Sequence, residues 1–192
     1  MQEPTFSLDG GALGDAVGIS WLIKDIDSVR IVGHGGTTNG QLSAFEFAPG
    51  RNFAITVLTN SSKGGELHMA IVKWALEAYL GVTEVEPEVL RLDQDALREY
   101  TGEYRSDVSI VTITAADGGS LHLHIGYTDE GLELYKTISE DPPEEQELTI
   151  WLTADDHYTV VEGQYKGIKG NFVRRDGRIR GINLGGRLAE KR

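Results

Sequence analysis

His34 is the residue whose neighbours best equip it for chemistry. It stands in the run Gly33-His34-Gly35-Gly36-Thr37-Thr38-Asn39-Gly40, between apolar, strand-like stretches on either side. An imidazole can donate or accept a proton near neutral pH. Glycines beside it let the backbone come close to a ligand or another chain, because no Cβ intervenes. The same residues also read as a Gly-rich hairpin with a histidine at its turn, and composition alone favours that plainer reading.

Other clusters are weaker. His122-Leu123-His124 puts two imidazoles on one face of a strand, since side chains alternate with a period of two. With His157 as a third ligand they could begin a zinc site. Spacing alone recruits few metals, so the expectation is a pair of barrel-wall histidines, with Leu121, Leu123 and Ile125 turned to the core and no metal. His68 is expected to do no more than pack or face solvent. Glu140, Asp141 and the run Pro142-Pro143-Glu144-Glu145 read as a solvated acidic loop. Arg174, Arg175, Arg178 and Arg180 are expected to pair with nearby carboxylates. Gly10-Gly11-Ala12-Leu13-Gly14 lacks the strand before it and the helix after it that a dinucleotide-binding loop needs. The chain has no cysteine, which excludes disulfides, thiol catalysis and thiolate metal sites. No cofactor is expected.

The elements that must hold these residues begin with a stretch, 1–16, rich in Gly and Asp and read as loop. Strands are expected from Val17 to Lys24, Val29 to Val32, Leu42 to Phe47 and Phe53 to Thr59, with turn residues at each join. The period then changes. Leu67, Ile71, Trp74, Ala75, Ala78 and Tyr79 fall on one face of a helix over 66–80, capped by Ser61 or Ser62 and stopped by Gly81. Residues 85–92 carry the Pro and Glu content of a linker. Asp93 caps a short helix over 94–100. Strands are then expected near 109–114, 120–125, 132–137, 147–152, 158–161, 166–174 and 179–183. Turns are expected between them at Asp117-Gly118-Gly119, Asp129-Glu130-Gly131, Ala154-Asp155-Asp156 and Asp176-Gly177, and the even spacing suggests a small, closed or nearly closed antiparallel barrel.

Several motifs occur in one order: Gly18-Ile19-Ser20-Trp21, Gly33-His34-Gly35-Gly36, Asn39-Gly40-Gln41-Leu42-Ser43-Ala44-Phe45, Pro49 to Arg51, and Val57-Leu58-Thr59-Asn60. This stretch, about 17–82, resembles the C-terminal third of the serine β-lactamase-related hydrolases, which include class C β-lactamases, D-Ala-D-Ala carboxypeptidases, D-aminopeptidases and related esterases. The resemblance implies that His34-Gly35-Gly36 fills the third active-site motif on a strand that walls the substrate cleft. Its catalytic positions would be His34, Gly36 and Thr37, with the Thr37 amide in the oxyanion hole. Tyr100-Thr101-Gly102-Glu103-Tyr104 and Gly181-Ile182-Asn183-Leu184 resemble the lipocalin-like domain that follows many of these enzymes.

The family's nucleophile is a serine with a lysine three residues later. No serine here has lysine at that position, the second motif is absent, and no Gly-x-Ser-x-Gly elbow replaces them. The reading is therefore an α+β chain in two domains. Residues 1–84 form an antiparallel meander with a packed C-terminal helix. Residues 93–192 form a small all-β, lipocalin-like barrel after the linker 85–92. Its expected role is a C-terminal hydrolase fragment, inactive alone, whose intact parent takes a small peptide, ester or β-lactam. The alternatives are a non-catalytic binding or scaffold protein that reuses the cleft strand and barrel, and a metal enzyme using His122 and His124.

A formal net charge of −12 over 192 residues argues against a nucleic-acid partner. No apolar run reaches the roughly 18 residues of a membrane span. Met1-Gln2-Glu3-Pro4 shows no signal peptide, and an excised piece would leave localisation unread. The stretch from Phe53 to Asn60 is apolar, β-branched and uncharged. In the resembling fold it is a central strand whose partners precede this chain. The expectation is therefore self-association through it, or residues 1–16 folding back over it.

Overall fold

The computed structural model describes every residue except Asn39, Ser62, Lys63, Pro142 and Asp155. Parts of four expectations lie outside the described residues: Asn39 of the Gly-rich run, Ser62 as a helix cap, Pro142 of the acidic loop and Asp155 of a turn. The fold is of the α+β class, with antiparallel sheets, one closed barrel and few helices. It divides into two compact units, Met1–Glu86 and Pro87–Arg192. Among the described residues no helix is long and apolar enough to cross a membrane.

The first unit is a six-stranded sheet in sequence order: β1 (Phe6–Gly11), β2 (Gly14–Val17), β3 (Leu22–Ile26), β4 (Val29–Thr38), β5 (Gln41–Ala48) and β6 (Phe53–Thr59). The meander follows from turn chemistry. Ile26 pairs with Val29 across Asp27 and Ser28, both with positive φ (47° and 66°). A two-residue turn of this kind matches the right-handed twist of its strands. Residues 1–16, expected as loop, contribute β1 and β2. Their glycines mark a hairpin, with Gly14 at φ +102°, and this hairpin joins β3 at the far side of the sheet from β6. It therefore leaves β6 uncovered.

One face of the sheet carries α1 (Gly64–Leu80). Ile31, Ala48 and Val57 pack there with Val72, Leu76 and Val82. The buried stripe of α1 is Gly64, His68, Val72, Ala75 and Leu76. The expected stripe is only partly right: its Ala75 is buried and its Ile71 packs against this core, but its Leu67, Trp74 and Tyr79 are 52%, 60% and 70% exposed. Two neighbouring stripes of α1 are apolar, so periodicity could not choose between them. The contact between Thr59 and the start of the helix chooses. A Cβ at Gly64 would lie 2.0 Å from Thr59 Oγ1, so only glycine lets the helix start sit there. One turn later His68 Nε2 lies 3.1 Å from the same Oγ1.

The second unit is an eight-stranded barrel in which every strand pairs with its sequence neighbours and β14 closes on β7. The strands are β7 (Gly102–Arg105), β8 (Ser109–Ala115), β9 (Leu121–Tyr127), β10 (Gln146–Leu152), β11 (His157–Val160), β12 (Lys169–Arg175), β13 (Arg178–Leu184) and β14 (Arg187–Lys191). The Asp176-Gly177 turn, both residues at positive φ, makes the tight β12–β13 hairpin. The short helix α2 (Gln94–Leu97) starts at Asp93, whose carboxylate accepts from the Ala96 amide at 2.8 Å. Its Leu97 joins Tyr104, Leu121, Leu123, Ile150 and Ile182 in a core that fills the barrel.

Two expectations fail in this unit. The turn expected at Asp129-Glu130-Gly131 and the strand expected over 132–137 both lie in or against one helix, α3 (Asp129–Lys136). The Thr128 hydroxyl accepts from the Gly131 amide at 3.0 Å, and two acidic residues occupy the first turn, so cap and helix dipole specify a helix there. Strands β7 and β14 were not foreseen. Both are short and mostly polar, with one inward residue each, Tyr104 and Ala189, fully or almost fully buried.

Candidate functional site

The Gly-rich run is not a loop: from Val29 to Thr38 it is one continuous strand, β4. Along one edge β4 pairs with β5, from Val32 opposite Phe47 to Thr38 opposite Gln41. Along the other it pairs with β3 only as far as Gly33, opposite Leu22. Residues 34–38 therefore have one edge without a strand partner among the described residues, and all five are exposed. An open edge presents a row of N–H and C=O groups.

His34, Gly36 and Thr37, singled out in the sequence, all lie on this edge segment. His34 Nδ1 is 2.5 Å from the Gly35 carbonyl oxygen. A carbonyl only accepts, so Nδ1 carries the proton and Nε2 is left as an acceptor in the neutral ring. Gly33 has a packing reason to be glycine: a Cβ there would meet the Phe45 carbonyl oxygen at 2.5 Å.

Side chains of β4 alternate between faces. Gly33 and Gly35 look to the α1 side, where a cavity of 210 Å³ is lined by Gly14, Lys24, Ile31 and Ala44 among others. Lys24 and Glu46 both line it and form an ion pair at 3.1 Å. His34, paired with Phe45, looks to the other face. There Trp21, Phe45 and Phe47 form a mutual cluster with ring centroids 5.3 to 6.0 Å apart. The sequence showed Trp21 and Phe45 inside motifs but offered no reason to join them to His34. Only the register brings them together.

In the barrel, His122 and His124 share an outer face, while Leu121 and Leu123 are fully buried. Both turn to carboxylates. His124 Nδ1 lies 2.7 Å from Glu147 Oε1 and its Nε2 3.4 Å from Glu145; His122 Nε2 lies 3.1 Å from Glu147 Oε2. Hydrogen bonding to Glu147 holds the His124 pKa above its ordinary value against the opposing effect of burial, with help from the charges of Glu147 and Glu145. His157 is elsewhere, with Nδ1 2.9 Å from the Ala154 carbonyl oxygen. Among the described residues no three His, Asp or Glu side chains are placed to hold a metal ion.

No family model matches the chain, and no curated protein matches it. Solved structures do. A crystal structure of SurE aligns with 24% identity over 100% of this chain and 40% of that one, with a TM-score of 0.62. A crystal structure of SurE with D-Leu aligns with 23% identity over 95% of this chain and 40% of that one, with a TM-score of 0.61. The chain shares the fold of SurE. It spans about 40% of the length of the SurE chains it matches. An octameric penicillin-binding protein homologue from Pyrococcus abyssi aligns with 16% identity over 98% of this chain and 40% of that one, but a TM-score of 0.39 carries no argument.

These matches correct the family reading. The fold is shared with SurE, and no family model and no curated protein supports a β-lactamase-related serine hydrolase. With that assignment falls the reading of the chain as a C-terminal hydrolase fragment whose parent takes a small peptide, ester or β-lactam. The physical reason lies in the motifs themselves. Gly33 fits the close approach of Phe45, and Thr59 the contact with Gly64 and His68. Such residues specify a backbone geometry, which many chemistries can share.

Proposed function

We propose that the first unit binds a short, extended peptide segment along the open edge of β4. The observation that carries this is the run of residues 34–38 beyond the last β3 pair, exposed and paired on one side only. An extended ligand added there would take main-chain hydrogen bonds from β4, as strand addition to a sheet edge does generally. His34, Gly36 and Thr37 are recognition residues in this reading. Gly36 lets the ligand come close, and His34 Nε2 offers an acceptor. The SurE structure with D-Leu, an amino acid, supports a ligand of this chemical kind. We also propose that another open edge, that of the outer strand β6, takes a second copy of the chain.

The test is a titration of the full chain with capped pentaglycine and leucine-containing pentapeptides, followed by amide NMR. The expected result is shifts concentrated at residues 34–38 and their β5 partners. Shifts that avoid this segment at saturating peptide would overturn the reading.

A further inference from the structure

The edge of β4 ends against an aromatic platform, and this bears on which peptide it takes. Leu22 is the last β3 residue to pair, opposite Gly33. Trp21 precedes it, so continuing the register by one residue puts Trp21 opposite His34, and a ligand strand would take over the lane of β3 from Gly35 onward. His34 is itself paired with Phe45. The Trp21 and Phe45 rings stand 6.0 Å apart and the Trp21 and Phe47 rings 5.3 Å apart, edge to face. All three rings are half-buried. They line an open depression of 650 Å³ that runs on to the β5–β6 turn with Ala48, Gly50, Asn52, Phe53 and Ala54, and no charged side chain lines it.

We infer that Trp21, Phe45 and Phe47 form a subsite that selects a peptide carrying an apolar side chain of about leucine size next to Trp21. The inference rests on the edge-binding reading and deepens it. A strand laid along β4 points every second side chain to the aromatic face, and the first of these meets Trp21. A leucine there leaves water against aromatic carbon, which is favourable in proportion to the apolar area covered. A carboxylate there would lose hydration and find no cation in return. Glycine at that position would keep the main-chain hydrogen bonds and lose only the side-chain contribution.

The experiment compares capped Gly-Gly-X-Gly-Gly peptides on the full chain, with X as glycine, L-leucine, D-leucine or aspartate, read by amide and indole NMR. The expected result is that one leucine peptide binds about tenfold tighter than the glycine peptide, and aspartate no tighter than glycine. The Trp21 indole N–H should shift with leucine only. In Phe45→Ala the leucine preference should fall to about one while the affinity for the glycine peptide stays. If that variant fails to fold, the leucine-to-glycine ratio on the unaltered chain still decides. Equal affinity of glycine and leucine peptides, with shifts at residues 34–38 for both, overturns the subsite and leaves the edge reading standing. Absence of shifts at residues 34–38 with every peptide overturns both. A leucine preference whose shifts centre on Trp74 of α1 also overturns the subsite.

Discussion

Leu22 and Gly33 form the last pair between β3 and β4, and β4 continues for five residues beyond it. In the free chain those residues should show two classes of amide. Amides that bond to β5 should exchange slowly, and those on the open edge should exchange as fast as loop amides. Hydrogen exchange by NMR measures this directly. Uniform protection from His34 to Thr38 would show that something already covers the edge.

The rotation of α1 makes opposite demands on two of its apolar residues. Leu76 is 3% exposed against the sheet, and Trp74 is 60% exposed. Leu76→Ala should cost about 2–5 kcal/mol of stability, while Trp74→Ala should stay within about 0.5 kcal/mol. Urea denaturation of the two variants gives the comparison. Equal costs would mean that the helix packs on the stripe expected from the sequence.

Strand β6 is the outer strand of the sheet, with no charged residue and with Leu58 72% exposed. An uncharged, β-branched open edge is a template for another chain. We expect concentration-dependent self-association, weakened by Leu58→Lys with folding stability nearly unchanged. Val57→Lys is a different experiment, because Val57 faces α1 and that variant should unfold the unit. Sedimentation over a range of concentrations separates monomer from assembly. A monomer at every concentration would remove this edge from consideration as an interface.

In the barrel, Arg174 clasps Asp156 with two hydrogen bonds of 2.8 Å, and the Tyr100 hydroxyl donates to the same carboxylate at 2.7 Å. The Arg174 hydrogen bonds hold the Asp156 carboxyl below its ordinary pKa, against burial and with help from Tyr100. Burial first, and the Asp156 hydrogen bond second, push the Tyr100 phenol up to about 12. A carboxyl depressed in the folded state stabilises fully above its unfolded pKa of about 3.9 and loses that contribution as pH falls through the lower folded value. The barrel should therefore lose thermal stability below about pH 4. Asp156→Asn should lower the neutral-pH stability by about 1–3 kcal/mol and flatten the acid limb. Asp156 has a positive φ of 66°, which asparagine also tolerates. An unchanged acid limb in the variant would assign it to other carboxylates.

His124 titrates in the opposite sense. Glu147 raises its pKa in the folded state, so this contribution to stability is complete below the unfolded value of about 6.5 and is lost as pH rises through the folded one. The His124 ring proton should titrate with a midpoint above about 6.5, and Glu147→Gln should bring the midpoint down. A midpoint unchanged by that substitution would show that the exposed pair does not persist in solution.

Much of the architecture was already legible in residue types. The β6 bounds, the helix stop at Gly81, the Asp93 cap, the Asp176-Gly177 hairpin and the inward leucines of β9 each depend on local stereochemistry or on a strict alternation. These are properties that neighbours in sequence determine among themselves. The buried stripe of α1, the partners of β7 and β14, and the helix at Asp129–Lys136 were decided by contacts distant in sequence or by a cap at the helix start. The candidate site divides in the same way. The glycines and His34 were visible as a run, but a run does not say which edge of its strand is open. That follows from β3 ending at Leu22, and the nearness of Trp21 and Phe45 to His34 follows from register between strands. Register is set by cross-strand packing, and so only the folded sheet could bring those three residues together.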